Sequence, residues 1–186
     1  MSAAQPSQPQ IALTLLDLKR QHQEARTHVG HGADEVSEAV LEEIEDMATE
    51  TLRLVVAVHG WPGHSLVGEV GADAAWWIAH HSADRTFQRH ALALLEEAVK
   101  AGEATRKQLA FLTDRCRVMA DQPQLYGTQF SYGPAGVQAY AVQDPERLDA
   151  RRAEMGLEPF DAFDELVRAL YLPPASAPPP PDSTAG

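Results

Sequence analysis

Residues 59–82 read HGWPGHSLVGEVGADAAWWIAHHS, and the punctuation of this stretch decides where helices stop and start. Gly60 suits the left-handed position just past a helix, and Pro62, with a fixed φ and no N–H, blocks continuation. A helix is therefore expected to end at His59. The tryptophan pair then falls in AAWWIAHH, a helix that Asp73 can cap, and Ser82 with Asp84 can open the next one. Working backwards, a helix starts near Asp34 and runs to His59, with its early acidic residues facing water. Before it, IALTLLDLKRQHQEA repeats apolar residues at helical spacing and predicts a first helix over 9–26, followed by a THVGHGAD loop.

Working forwards, RTFQRHALALLEEAVKA is closed by Gly102, and Thr105 with Gln108 matches a capping box that opens RKQLAFLTDRCRVMA. Leu109, Leu112, Cys116 and Met119 form one apolar stripe; Phe87, Ala91, Leu94 and Leu95 form another. After Pro123 the texture changes: QLYGTQFSY and VQAYAVQ alternate around GPAG. Asp144-Pro145 then starts a helix that Gly156 ends, and PFDAFDELVRALYL is a last amphipathic helix. The expected fold is mainly α, a compact bundle of about six to seven helices with a small β-hairpin or extended lobe near 124–143. It occupies residues 9–172 as one domain, between disordered tails at 1–8 and 173–186.

With 186 residues and 44% hydrophobic content the chain can bury one proper core. A net charge of −12 repels phosphate backbones and anionic headgroups, so neither nucleic acid nor membrane is an expected partner. No basic-then-apolar leader and no membrane-length apolar run is present, which makes a soluble, cytoplasmic protein the expectation. Cys116, the only cysteine, sits like a small buried hydrophobe and lacks the surroundings of an activated thiol.

Five histidines between 59 and 90 invite a metal hypothesis. A helical metal site needs two of them at i,i+3 or i,i+4, however, and His80 and His81 are neighbours pointing about 100° apart. No metal site is expected. Gly-x-Ser-x-Gly, Gly-x-Gly-x-x-Gly and Gly-Lys-Ser/Thr runs are missing, so esterase, dinucleotide and P-loop readings lose their support and no cofactor is expected. His81 falls at a helix C-terminus with Asp84 three residues on. The two form either a His–carboxylate pair or two separate helix-end contacts. Asp114 lies where it is partly buried and needs donors, with Tyr126 or Gln129 in reach; the result is a structural clasp or the polar floor of a pocket. Trp61 and Trp77 are core anchors or ligand platforms.

Four runs taken in order, HGWPGHSLVGEVGADAAWWIAHHSADRTFQ, AFLTDRCRV, QPQLYGTQF and DPERLDARRAEMGLEP, resemble a bacterial domain family of unknown function abundant in actinomycetes. The likeness covers roughly residues 52–160. The family pattern reads Gln-His, an acidic residue, then Phe-Gln, where this chain has His80-His81, Asp84 and Phe87-Gln88. Carried over residue by residue, the polar matches are His81, Gln88, Asp114, Arg115, Tyr126 and Gln129, and the resemblance implies no catalytic assignment.

Two functional classes follow. The first is a pocket protein for a small molecule or peptide, with His81 as acid or base, His80 as bystander, Asp84 or Asp114 tuning it, and Trp61, Trp77, Gln88, Arg115, Tyr126 and Gln129 as ligand contacts. The second is a non-catalytic binding or scaffold module in which these residues are clasps and caps. The sequence leaves the oligomeric state open.

Overall fold

The computed structural model describes residues 5–30, 35–133 and 136–171. Among these, seven helices run in order: α1 (Pro9–Gly30), α2 (Glu35–His59), α3 (His64–His81), α4 (Arg85–Lys100), α5 (Arg106–Val118), α6 (Leu148–Glu154) and α7 (Phe160–Tyr171). One antiparallel hairpin, β1 (Phe130–Gly133) with β2 (Gly136–Ala139), lies between α5 and α6. The chain is mainly α, a compact bundle with one small β element.

The bundle is built round α3. Its buried residues are mostly small, namely Val67, Gly71, Ala72, Ala74, Ala75, Ile78 and Ala79, and small side chains let neighbouring helices approach closely. A Cβ on Gly71 would stand 3.1 Å from the Ala12 Cβ of α1. Leu15, Leu52, Phe87, Leu95 and Leu112 close the core from α1, α2, α4 and α5.

Most of the punctuation acts where the residue types demand. Gly60 has φ +72°, just past the end of α2. The Asp84 carboxylate caps α4 by accepting from the Thr86 and Phe87 N–H groups, and Thr105 with Gln108 forms the full capping box of α5. Asp73 is the exception: α3 begins at His64 and Asp73 lies inside it, paired with Lys19 at 2.6 Å. Gly68 bends the helix locally at φ +74°, and a Cβ on Gly71 would meet Val67 of α3 itself at 2.8 Å and Ala12 of α1 at 3.1 Å. The first helix also runs on to Gly30, with the Thr27 hydroxyl donating back to the Gln23 carbonyl at 2.9 Å.

The expected N-terminal tail, 1–8, is docked in its last residues. Ser7 and Gln8 donate their N–H groups to the Ser65 and Leu66 carbonyls at 3.1 and 2.8 Å. Residues 1–4 and the expected tail at 173–186 lie outside the described residues.

The lobe after α5 is held by side chains that mimic backbone. The buried Gln124 amide donates to the Gln129 and Tyr140 carbonyls and accepts from the Gln129 N–H. The α7 helix is strapped on by Arg168, which donates to the Val137 carbonyl at 2.7 Å, and by Asp149, which accepts from the Phe160 N–H. Phe163 meets Phe111 of α5 and Phe130 of β1 edge-on.

Candidate functional site at the end of helix α3

His80 and His81 fall in the last turn of α3, where the helix leaves the core and meets α1, α5 and the hairpin. A cleft of about 220 Å³ opens there. Its polar wall is Arg26, His80, His81, Arg115, Thr128 and Gln129, and its aromatic wall is Phe111, Phe130, Tyr132 and Tyr171. Neighbouring histidines share this cleft because it wraps the end of the helix rather than one side of it; their rings lie 4.9 Å apart.

Hydrogen bonds fix the His81 tautomer. Its Nδ1 lies 2.9 Å from the Trp77 carbonyl, which can only accept, so Nδ1 carries the proton and Nε2 keeps a lone pair. The ring lies against the Trp77 indole, centroids 4.1 Å apart. Behind it, the buried His22 accepts the Trp77 indole N–H at Nδ1 and faces the Glu45 carboxylate with Nε2, each at 2.8 Å. His80 Nε2 lies 3.3 Å from the Gln129 side-chain amide nitrogen, a donor, which leaves the proton on Nδ1. That Nδ1 is buried with no hydrogen-bond partner among the described residues.

Burial holds both imidazoles in the neutral form. It lowers His80 to about 3, helped by the charges of Arg115 and Arg26. It also holds His81 far below the usual imidazole range, with His80 adding to the effect and the Trp77 carbonyl opposing it. A neutral imidazole with a free Nε2 can accept a proton or a hydrogen bond.

Of the residues singled out from the sequence, His81, Arg115 and Gln129 line the cleft, and Trp77 supports His81 from behind. His80, set aside as a bystander, lines it too. The others face different partners. Asp84 caps α4 and pairs with Arg53 at 2.7 Å, so its partners do not include His81. Gln88 donates to the Ala79 and His80 carbonyls, closing the end of α3. Asp114, fully buried, accepts from the N–H groups of Leu125, Tyr126 and Thr128 and from the Thr128 hydroxyl. Burial pushes its carboxyl up while these donors pull it down. It holds the loop that carries Thr128 and Gln129 and does not line the cleft. Tyr126 meets Asp114 through its backbone N–H, and its carbonyl accepts from Arg152. Trp61, in the turn between α2 and α3, packs against the core.

His22, Arg26 and Glu45 were not singled out, although a signal was present. His22 continues the Leu15–Leu18 spacing of α1, and Glu45 precedes Ala48, Leu52 and Val56 on the inner face of α2. A polar residue at a core position needs a partner, and these two supply each other's. Glu45 thus turns inward, unlike the water-facing acids expected along α2.

Two larger hollows, of about 480 and 600 Å³, run along the other side of α3 near His64 and Glu69. Buried polar atoms separate them from the cleft. Four such side-chain atoms have no partner among the described residues, and two of them, His80 Nδ1 and Arg115 Nε, belong to the cleft, whereas neither hollow has one. Among the described residues no group of three or more His, Cys, Asp or Glu side chains is arranged to hold a metal ion, and no helix is long and apolar enough to cross a membrane.

A family model described as a family of unknown function, DUF6624, matches residues 8–172. No curated protein and no solved structure matches the chain.

Proposed function

The chain belongs to this family of unknown function, so its chemistry must come from its own residues, and we propose that the cleft at the end of α3 binds a small molecule on which His81 Nε2 acts as a proton acceptor. The observation that carries this reading is His81 itself. Its Nδ1 is committed to the Trp77 carbonyl and its ring is braced by Trp77, which positions Nε2 as an acceptor; burial leaves Nε2 unprotonated but weakens it as a base, so proton transfer requires a ligand that raises its pKa. The Glu45–His22–Trp77 chain of hydrogen bonds orients the indole that orients the base. Asp84 and Asp114 have no part in it, because their carboxylates are taken up by a helix cap and a loop.

The runner-up is a non-catalytic binding module. It draws on Asp84, Gln88 and Asp114, all of them occupied in holding helices and loops together. A fragment library titrated into isotope-labelled protein separates the cleft from the alternatives. Hits are expected to move the imidazole signals of His80 and His81 and the side-chain amide of Gln129, and His81→Gln is expected to remove turnover of any substrate found while leaving the melting temperature nearly unchanged. Hits gathered at His64 and Lys107 would transfer the site to the outer hollow. Turnover that survives His81→Gln would remove His81 as the proton acceptor, and hits in the cleft with no compound turned over would leave the binding module.

A further inference from the structure

Arg152 is buried and Arg115 half-buried, and the contrast between their contacts points to a ligand class. Arg152 is 1% exposed and has no carboxylate within ion-pair distance among the described residues, yet two of its nitrogens have partners. Its Nε and Nη1 donate to the Glu158 and Tyr126 carbonyls, and its plane lies over Phe163, 5.0 Å from the ring centroid. Arginine stays protonated at any physiological pH, so this is what a purely structural buried arginine requires.

Arg115 has none of these contacts. Its side chain forms no ion pair and no hydrogen bond with the described residues, its Nε is buried without a partner, and it lines the cleft. Arg26 stands at the same cleft with half of its side chain exposed, and its nearest carboxylate, Glu45, is 3.9 Å away. Among the described residues no Asp or Glu lines the cleft, in a chain whose net charge is −12. Two guanidiniums stand at a cavity whose described lining holds no acid, and the buried His80 Nδ1–H adds a donor without adding charge.

Building on the pocket reading, we infer that the cleft takes a small organic anion, a carboxylate or phosphate monoester on an aromatic or apolar body, with Arg115 as the seat of its charge and Arg26 at the mouth. A bidentate carboxylate or phosphoryl group supplies the acceptors that Arg115 lacks. Phe111, Phe130, Tyr132 and Tyr171 receive the apolar body. Burial is the larger cause of the low His80 and His81 values and remains, but the negative charge offsets the smaller penalty that Arg115 and Arg26 impose on His80 and Arg26 on His81. Both therefore rise when the anion is seated, and the complex takes up protons. The charged and titratable groups facing them are His22 and Arg26 from α1, Glu45 from α2, Arg115 from α5, Tyr132 from β1 and Tyr171 from α7.

The test uses the full chain and three probes of one shape: benzoate, phenyl phosphate and uncharged benzamide. They are followed by imidazole NMR and by calorimetry in two buffers of different ionisation enthalpy. At least one anion is expected to saturate the His80 and His81 signals with net proton uptake below pH 7, and benzamide to bind at least about tenfold more weakly. The anion that binds tighter identifies the head group as carboxylate or phosphate. Arg115→Met is expected to lower that affinity about ten- to a hundredfold and Arg26→Met less, while Arg115→Met leaves the melting temperature of the free protein unchanged or raised, since it removes an unpaired charge. Benzamide binding as well as benzoate, insensitive to both arginine variants, would overturn the anion while leaving the pocket. No probe reaching the cleft would overturn both. A marked loss of melting temperature in Arg115→Met would make Arg115 structural and overturn the assignment, with Arg26→Met then showing whether any charge at the mouth matters.

Discussion

Asp114 concentrates more consequence in one side chain than any other acid described. Both of its oxygens are occupied by donors from the loop over 125–128, and that loop delivers Thr128 and Gln129 to the cleft. Asp114→Asn swaps one acceptor for an NH2 that confronts N–H groups, leaving buried donors unsatisfied. A cost of about 2–4 kcal/mol is expected, at roughly 1–3 kcal/mol per orphaned group. Urea unfolding measures it, and a midpoint unchanged from wild type would mean that the loop holds itself. Asp84 belongs at the same scale with a smaller effect. Asp84→Ala removes the α4 cap and should cost about 0.5–2 kcal/mol without altering binding in the cleft. Asp84 was legible in the sequence as a helix opener, and Asp114 as a polar group in a position that needs partners. Which partners Asp114 has was not legible, because backbone N–H groups belong to every residue and leave no mark on composition. His22 and Glu45 show the converse, since their core spacing was readable but each makes sense only beside the other, on the neighbouring helix.

At the scale of elements, caps and left-handed glycines could be read directly because a single residue type carries the requirement. Gly60, Asp84, Gly102 and the Thr105 box are local chemistry. The start of α3 was not readable, since Gly68 and Gly71 carry the same letter for different reasons: one bends the chain and the other admits a neighbouring helix. The hairpin was visible in outline, whereas its attachment to α7 depends on Arg168 reaching a carbonyl of β2. Gly127 shows how tightly the lobe is fastened. It has φ +65°, and a Cβ there would stand 2.8 Å from the Phe160 ring. Gly127→Ala combines backbone strain of about 1–2 kcal/mol with overpacking of about 1–3 kcal/mol, and should loosen α7 first. Hydrogen exchange is expected to show faster exchange over 160–171 with the bundle amides unchanged; uniform acceleration would mean that lobe and bundle unfold together.

Across the whole molecule, the neutral histidines couple stability to acidity. In the unfolded chain an imidazole binds a proton near pH 6.5, while folded His80 does so only at about 3 and His81 also far below the usual range. The unfolded state therefore holds more protons throughout this window, so the contribution is whole above pH 6.5 and is lost as pH falls toward 3. The loss is at most about 1.4 kcal/mol per pH unit for each histidine. Urea midpoints at pH 7.5, 6 and 5 should fall for the wild type and fall less for His80→Gln and His81→Gln; parallel curves would mean that other groups dominate. The cleft joins a helix end sunk in the core to a lobe strapped on from outside, and this has a consequence for selectivity. Tyr132 and Tyr171 are 55% and 57% exposed, so replacing them leaves the packing beneath His80 and His81 intact. On the proposed reading, changes at this outer wall alter which molecule is selected without disturbing the imidazoles of α3 beneath it.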